Sequence, residues 1–174
     1  MSGAGLTSLY RLTDLTRFNC VPLLTMEDDH SRKGWALWLE NELDDTVVAG
    51  MKKLHGWKYA NLLTDNGSQF YANSGEIKSH GVYRFQQYLA DRKVRHILGR
   101  VHHPQTNGKI ERFYETFQSK IHHFDTIEQF MNWYNTKRPH MSLNWDELET
   151  PTQAFYRKID KRRRGQPFLV GNLR

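Results

Sequence analysis

Three acidic residues stand at positions where a carboxylate could do chemistry. Asp14 lies in a predicted strand, where aspartate is disfavoured. Asp65 follows another predicted strand, and ligand crevices of open α/β sheets form at such strand ends. Glu111 lies in the first turn of a predicted long helix. Each has a structural alternative. Asp14 could pair with a neighbouring arginine or cap a turn, Asp65 could begin an Asp-Asn-Gly turn, and Glu111 could be a first-turn acid stabilised by the helix dipole.

Taken together, the three carboxylates are a donor set for a hard divalent cation. Carboxylates brought together repel one another and cost several kcal/mol unless a cation joins them. Oxygen-only ligands suit Mg²⁺ or Mn²⁺. Two such ions can stabilise the attacking and leaving oxygens of an in-line phosphoryl displacement. The set therefore predicts phosphodiester chemistry, provided that the fold brings the three residues together.

The elements that must position these acids follow the order β-β-β-α-β-α-β-α-α-α. Short apolar runs and, for the first strand, mixed alternation predict the strands, and apolar residues at three- to four-residue spacing predict the helices. Strands are predicted over 10–16, 20–26, 34–39, 58–64 and 94–98, and helices over 44–54, 83–91, 110–121, 127–136 and from Pro151 onward. Residues 27–32 are predicted to form a polar turn, and 104–108 a loop whose Thr106 or Asn107 caps the long helix. A meander followed by alternating strands and helices predicts an α/β fold with a mixed sheet.

The charge of the chain is concentrated at its C-terminal end. The 174 residues contain 25 Lys and Arg against 19 Asp and Glu, a formal net charge of +6. Residues 157–174 contribute seven bases and one acid, so residues 1–156 are formally neutral. We expect a flexible leader over 1–8, a core domain over 9–157 and a basic tail over 158–174.

Composition excludes several classes of protein. The only cysteine, Cys20, rules out an internal disulfide and a cysteine-based zinc finger, and it is predicted to be a buried strand residue. No apolar run approaches the ~18 residues of a membrane span, and the N-terminus lacks the regions of a secretory signal. We expect an intracellular protein with access to DNA, neither secreted nor bound to a membrane.

Four segments carry a resemblance to a known family. They are Leu12-Thr13-Asp14-Leu15-Thr16, Asp28-Asp29-His30-Ser31-Arg32, residues 63–70 (LTDNGSQF) and residues 103–113 (HPQTNGKIERF). Residues 133–140 and 150–155 match the closing helices of the same family. The chain resembles the catalytic core of DDE transposases and retroviral-type integrases over roughly residues 9–157.

The resemblance implies a fold and a metal site. The fold is RNase H-like, a mixed five-stranded sheet with an antiparallel three-strand meander and helices on both faces. Asp14, Asp65 and Glu111 would be the catalytic, metal-binding triad, holding two Mg²⁺ ions that Mn²⁺ could replace. Asp28 or Asp29 is the rival for the first position. Residues 105–108 would form a mobile catalytic loop.

The resemblance also implies DNA contacts at the rim of the site, on the long helix and in the basic tail. These candidates are Asn66, Gln105, Asn107, Lys109, Arg112, Lys120, Arg162, Arg163 and Arg164. Instead of contacting DNA, the basic residues of the helix could form a solvated face with an Arg112–Glu115 ion pair. The basic residues of the tail could likewise be a solvated run of charges. Phosphate contacts would position DNA without reading its sequence.

The expected function is metal-dependent cleavage and strand transfer of DNA by in-line phosphoryl transfer. The partners would be the ends of a mobile element and its target DNA, bound by a homodimer or a higher oligomer. Two alternatives stay open. One is a catalytically silent module that binds DNA or self-associates, and the other is a purely hydrolytic nuclease of the same fold.

Overall fold

The computed structural model describes residues 10–18, 20–54, 59–64, 70, 80–99 and 104–164, with backbone alone at 10–15, 44, 80–83, 104–107 and 160–164. The elements are β1 Tyr10–Phe18, β2 Val21–Asp28, β3 Gly34–Trp38, α1 Asp44–Leu54, β4 Asn61–Thr64, α2 His80–Asp91, β5 Arg95–Leu98, α3 Pro104–Lys120, a 3₁₀ turn Ile121–His123, α4 Ile127–Thr136 and α5 Pro151–Arg164.

The five strands form one mixed sheet in the order β3-β2-β1-β4-β5. β1, β2 and β3 pair antiparallel, whereas β4 runs parallel to β1 and to β5. The predicted meander and mixed sheet are therefore confirmed. A polar turn also forms between β2 and β3, where the Asp28 amide donates to the Lys33 carbonyl oxygen (2.8 Å), but Glu27 and Asp28 of the predicted turn belong to β2.

Alternating side chains of the strands serve two cores, one on each face of the sheet. Leu24, Met26 and Leu62 pack with α1 and α2, whereas Leu23 and Leu63 pack with α3 and α4. Of the helix aromatics whose spacing predicts core positions, five are buried there and Trp133 is partly buried; the buried five are Phe113, Tyr114, Phe117, Phe130 and Tyr134. Helices thus cover both faces, as expected.

The start of α3 differs from the prediction. The helix begins at Pro104, so Gln105, Asn107 and Gly108 belong to its first turns and do not form a loop, and Thr106 and Asn107 are not its cap. Proline suits the first helical position, since its fixed φ and missing N–H cost nothing there. Glu111 is consequently the eighth residue of α3, beyond the first turn where the helix dipole acts.

Cys20 is also placed differently from the prediction. It is exposed, and its φ of 69° lies in the left-handed region. Phe18 pairs with Val21, so only two residues connect β1 to β2, and such tight connections require positive φ. The backbone conformation that the connection requires therefore places Cys20 in an exposed turn, although its side chain is apolar enough for a buried strand.

The start of α5 matches the prediction. Thr150 caps it, with Thr150 N donating to Gln153 Oε1 (2.8 Å) and Gln153 N donating to Thr150 Oγ1 (3.5 Å). The helix continues to Arg164, past residue 158, where the tail was predicted to begin. Arg157 holds Glu149 through two hydrogen bonds of 2.6 and 2.9 Å, which ties the segment after α4 to α5.

Asn135 at the end of α4 clamps the start of β3. Its Oδ1 accepts from Gly34 N (2.9 Å), and its Nδ2 donates to Gly34 O (2.8 Å). We expect Asn135→Ala to lower the free energy of unfolding by about 1–3 kcal/mol, because a backbone donor and acceptor lose their partners. Urea denaturation measures the loss. The exposed neighbour Asn132→Ala is the control, and equal losses in both variants would contradict the clamp.

Candidate active site

The parallel pairing of β1 with β4 fixes where the two strands end relative to each other. Tyr10 lies opposite Asn61 and Thr13 opposite Thr64. Asp14 is the next residue of β1, where its backbone pairs with Thr25 of β2. Asp65 and Asn66 follow Thr64 in the chain and lie outside the described residues, so the expected meeting of the carboxylates stays a prediction.

The end of β4 is held by β5. Thr64 Oγ1 lies 2.8 Å from His96 Nε2, and the Gly99 amide donates to the Thr64 carbonyl oxygen (2.7 Å). Burial lowers the pKa of His96, so the ring is neutral at pH 7. The residue before Asp65 is therefore fixed through both its side chain and its backbone.

Glu111 is an exposed carboxylate on a firmly packed helix. Its neighbours Ile110 and Phe113 are buried, at 5% and 0% exposure, against the sheet. Phe18 of β1 packs on the same helix, with ring centroids 4.9 Å from Phe117. The sheet and α3 thus present Glu111 on a rigid element.

The alternative first acids, Asp28 and Asp29, are engaged in the β2–β3 turn. Asp28 is fully buried, and its Oδ2 accepts from Ser31 N (2.9 Å) and Ser31 Oγ (2.6 Å). Lys158 of α5 lies 3.5 Å from the same oxygen. Asp29 Oδ1 accepts from Lys109 Nζ at 2.6 Å, which ties α3 to the turn.

The predicted DNA contacts on α3 fall into different surroundings. Lys109 is held by Asp29. Arg112 is exposed, and within the described part of the chain it forms no ion pair, so the alternative Arg112–Glu115 pair is absent. Lys120 is exposed at the last turn of α3. Gln105 and Asn107 lie in the first turn of α3 and Arg162–Arg164 at the end of α5, where the backbone alone is described.

A basic cavity beside α3 is a feature that sequence reasoning missed. It has a volume of about 340 Å³ and is lined by Arg32, Gly108, Lys109, Arg112, His140 and Ser142. Three segments far apart in the chain build it, namely the β2–β3 turn, α3 and the segment after α4. The Ser-Arg and Arg-Pro-His sequences were the available signal, but nothing in their spacing shows that they meet.

Two buried titratable groups lie around this cavity. Glu27 is 1% exposed, and burial raises its pKa to about 8 despite Arg32, whose Nη1 lies 3.9 Å from Glu27 Oε1. Burial, together with nearby arginines, lowers the pKa of His140 to about 4. Both side chains are therefore mainly neutral at pH 7.

Among the side chains that the structure describes, no three His, Cys, Asp or Glu groups come close enough together to hold a metal ion. The side chains of Asp14 and Asp65 are not in that set. In the same described residues, no helix has the length and apolar character needed to cross a membrane.

Comparisons with known sequences point to one family. A family model described as an integrase core domain matches residues 92–147. A putative integrase ORF3 of Spiroplasma virus SpV1-C74 is 33% identical over 111 residues, covering 57% of this chain and 31% of that protein. An uncharacterized protein of Archaeoglobus fulgidus is 34% identical over 98 residues, covering 56% of this chain and 71% of that protein. The chain thus spans less than a third of the viral relative.

Solved structures confirm the expected RNase H-like fold. The catalytic core domain of BIV integrase superposes with a TM-score of 0.68 at 17% identity, covering 90% of this chain and 99% of that one. A simian T-cell lymphotropic virus intasome, solved with PP2A regulatory subunit B56 gamma, gives a TM-score of 0.65 at 16% identity, covering 98% of this chain and 59% of that one. At such identities the likeness establishes the fold alone.

Proposed function

We propose, since the chain belongs to the RNase H-like integrase and transposase family, that it is a catalytic core that cleaves DNA and joins DNA strands. The reaction would be an in-line attack on a phosphodiester, first by water and then by a DNA 3′-hydroxyl. The substrates would be the ends of a mobile element and its target. The core would act as a homodimer or higher oligomer, because two ends must be joined.

The observation that carries the proposal is the register of β1 and β4. Thr13 lies opposite Thr64, and each is followed by one of the predicted aspartates. Residues paired in adjacent parallel strands share a face of the sheet. Leu63 packs on the face covered by α3, and so does Phe18 of β1. By the period of two along each strand, we infer that Asp14 and Asp65 share that face and that Glu111 is supplied by the helix that covers it.

The chemistry of this donor set fits a hard cation. Asp14, Asp65 and Glu111 offer oxygen ligands only, which suits Mg²⁺ or Mn²⁺ and not a thiolate- or imidazole-preferring metal. Two such ions, when bound, would activate the attacking oxygen and stabilise the leaving oxygen. Membership of this family is consistent with the use of a divalent metal ion. That two ions bind in each active site is part of this proposal.

The engagement of the rival acids supports Asp14 as the first ligand. Asp28 is buried and committed to Ser31 and Lys158, and Asp29 is committed to Lys109. If Asp28 turned to bind a metal ion, the two Ser31 donors would lose their acceptor, which costs free energy. Asp14 lies outside the turn, so its use as a ligand does not carry this cost. Their role in the proposal is to fix the β2–β3 turn and, through Lys109, the start of α3.

The chain's own residues hold the DNA in this proposal. Lys120, Asn66, Gln105 and Asn107 would contact the backbone near the carboxylates, and Arg162–Arg164 would tether DNA through charge. Such phosphate contacts weaken steeply as salt rises. These contacts would orient the reacting 3′-hydroxyl. Because the attacking oxygen comes from water or DNA and not from a protein side chain, no covalent protein–DNA intermediate is expected.

A branched DNA tests the proposal without knowledge of the element's ends. In this substrate a 3′-hydroxyl already lies beside the phosphodiester to be attacked, so the chemical step does not depend on end recognition. We expect joined and released strands with Mg²⁺ or Mn²⁺, and no product with EDTA. Asp65→Asn should abolish both products, whereas the exposed Asp91→Asn on α2 should keep them.

The same assay separates the alternatives. Products of water attack without any strand joining would identify a hydrolytic nuclease. Binding of DNA with no product under any divalent ion would identify a silent module. Full activity of purified Asp65→Asn would rule out the proposed triad.

A further inference from the structure

The basic cavity beside α3 contains Lys109 and Arg112, two of the predicted DNA contacts, but the proposal above assigns no ligand to the cavity itself. We propose that it binds a phosphate group of the DNA backbone adjacent to the reacting phosphodiester. The identity of the ligand as DNA rests on the proposed function. The location follows from α3, which carries both the cavity residue Arg112 and its neighbour Glu111, the proposed metal ligand.

The charge of the cavity favours an anion. Lys109 is neutralised by Asp29, but Arg112 has no carboxylate partner among the described residues. Arg32 has only Glu27 within ion-pair distance, at 3.9 Å, and burial keeps Glu27 mainly protonated at pH 7. Two guanidinium charges therefore lack a compensating anion in the described part of the chain. Guanidinium groups are the side chains best matched to phosphate oxygens.

The hydrogen bonds of the cavity orient donors in advance. Arg32 Nε donates to Ser142 Oγ (3.1 Å), and Ser142 N donates to His140 Nδ1 (3.3 Å). A backbone amide only donates, so Nδ1 accepts and the neutral ring carries its proton on Nε2. The lining of the cavity thus includes a neutral imidazole beside two guanidinium groups. The backbone of Arg32 is also held in the turn, because its amide donates to the Asp28 carbonyl oxygen (2.9 Å).

The construction of the cavity distinguishes it from a row of surface cations. Side chains from the β2–β3 turn, α3 and the segment after α4 converge on it, and each segment is tied down. Lys109 bonds to Asp29, and the His140 amide donates to the Glu149 carbonyl oxygen (3.1 Å). The volume of about 340 Å³ is at the small end of ligand sites, which fits one phosphate with its sugar.

The salt dependence of DNA binding tests the inference. Affinity of the full chain for a double-stranded oligonucleotide is measured by fluorescence anisotropy in EDTA, between about 50 and 300 mM salt. Loss of one phosphate contact lowers the slope of log K against log salt by about one. We expect that change for Arg112→Gln, with about tenfold weaker binding. Lys53→Gln removes the same charge from α1 on the opposite sheet face and should leave both quantities unchanged.

A second variant tests the cavity separately from the helix surface. Ser142→Ala removes no charge, so we expect severalfold weaker binding with an unchanged slope. Wild-type affinity in Ser142→Ala would overturn the three-segment site. Equal slopes in wild type and Arg112→Gln, or equal losses in Arg112→Gln and Lys53→Gln, would overturn it as well.

Two further arms assign a failure to its cause. If inorganic phosphate raises the melting temperature of the wild type but not of Arg112→Gln, while DNA binding is equal, the cavity serves a free phosphate compound and the DNA assignment is overturned. The branched-DNA assay is run on the same proteins. If the wild type is active but Arg112→Gln has the wild-type salt slope, only the proposal for the cavity is contradicted. If the wild type is inactive but Arg112→Gln shows the expected change in slope, only the proposed function is contradicted.

Discussion

Replacing Glu111 by glutamine is expected to reduce DNA cleavage and strand joining by at least about a thousandfold. Loss of a carboxylate from a catalytic metal site removes several kcal/mol of charge stabilisation from the transition state, and about 4 kcal/mol corresponds to a factor of a thousand. The branched-DNA assay with Mg²⁺ measures this loss. The fold should survive, because Glu111 is exposed and makes no hydrogen bond through its side chain among the described residues.

Glu115 provides a matched control for this prediction. It lies one turn further along α3, is also exposed, and loses the same charge in Glu115→Gln. We expect near wild-type activity for that variant. Binding of Mn²⁺, measured by calorimetry, should weaken in Glu111→Gln and not in Glu115→Gln. Equal activity of the two variants would contradict the proposed role of Glu111 as a catalytic metal ligand.

Most of the architecture could be predicted because it follows from local periodicity. The apolar spacing gives α1 as Asp44–Leu54 and α4 as Ile127–Thr136, the bounds that the structure has. The five predicted strand segments, of which the first has mixed alternation, correspond to the five strands of the sheet. In each case one face of the element meets a core, so the pattern of apolar residues carries the information.

Where the prediction was wrong, a local geometric demand overrode the pattern. The stretch Gln105–Gly108 resembles a loop in composition, but Pro104 starts a helix well and the amphipathic face of α3 extends it. Cys20 is apolar enough for a strand, but the two-residue connection required a turn residue with positive φ.

The basic cavity could not be predicted for a different reason. Arg32 and Ser142 are joined by one hydrogen bond across 110 residues of chain, and no periodicity reports such a pairing. The same holds for Lys109 and Asp29, which are 80 residues apart. Local spacing does indicate that Asp14 and Asp65 each lie near a strand, but it cannot indicate whether their carboxylates meet, which depends on how those strands pair.

The second large effect expected is on stability, at Glu27. Its folded pKa of about 8 lies above the usual value of 4.5, so the folded state holds a proton that the unfolded state has released between these pH values. The contribution of this group to stability therefore falls as pH rises through this window and is fully lost above the folded pKa. From pH 6.5 to 8 the loss amounts to about 1.6 kcal/mol, because the slope of about 1.4 kcal/mol per pH unit falls to half at the folded pKa.

The choice of window separates Glu27 from the histidines. The pKa of His140 is lowered to about 4, and those of His30 and His96 are lowered as well. A histidine with a lowered pKa adds stability as pH rises toward its unfolded value near 6.5 and contributes little above it. Below pH 6.5 the two slopes oppose each other, so the histidines mask the effect of Glu27. Above pH 6.5 only the slope from Glu27 is expected to persist.

Glu27→Gln should therefore abolish the loss of stability between pH 6.5 and 8. The amide is neutral at every pH and keeps the shape of the protonated carboxyl group, so at pH 8 the variant should be the more stable protein by a few kcal/mol. Urea denaturation at several pH values measures this, with the exposed Glu40→Gln as control. A wild-type slope retained in Glu27→Gln would mean that Glu27 is ionised throughout. Arg32 would then be neutralised, and the cavity beside it would lose one of the two charges that favour phosphate.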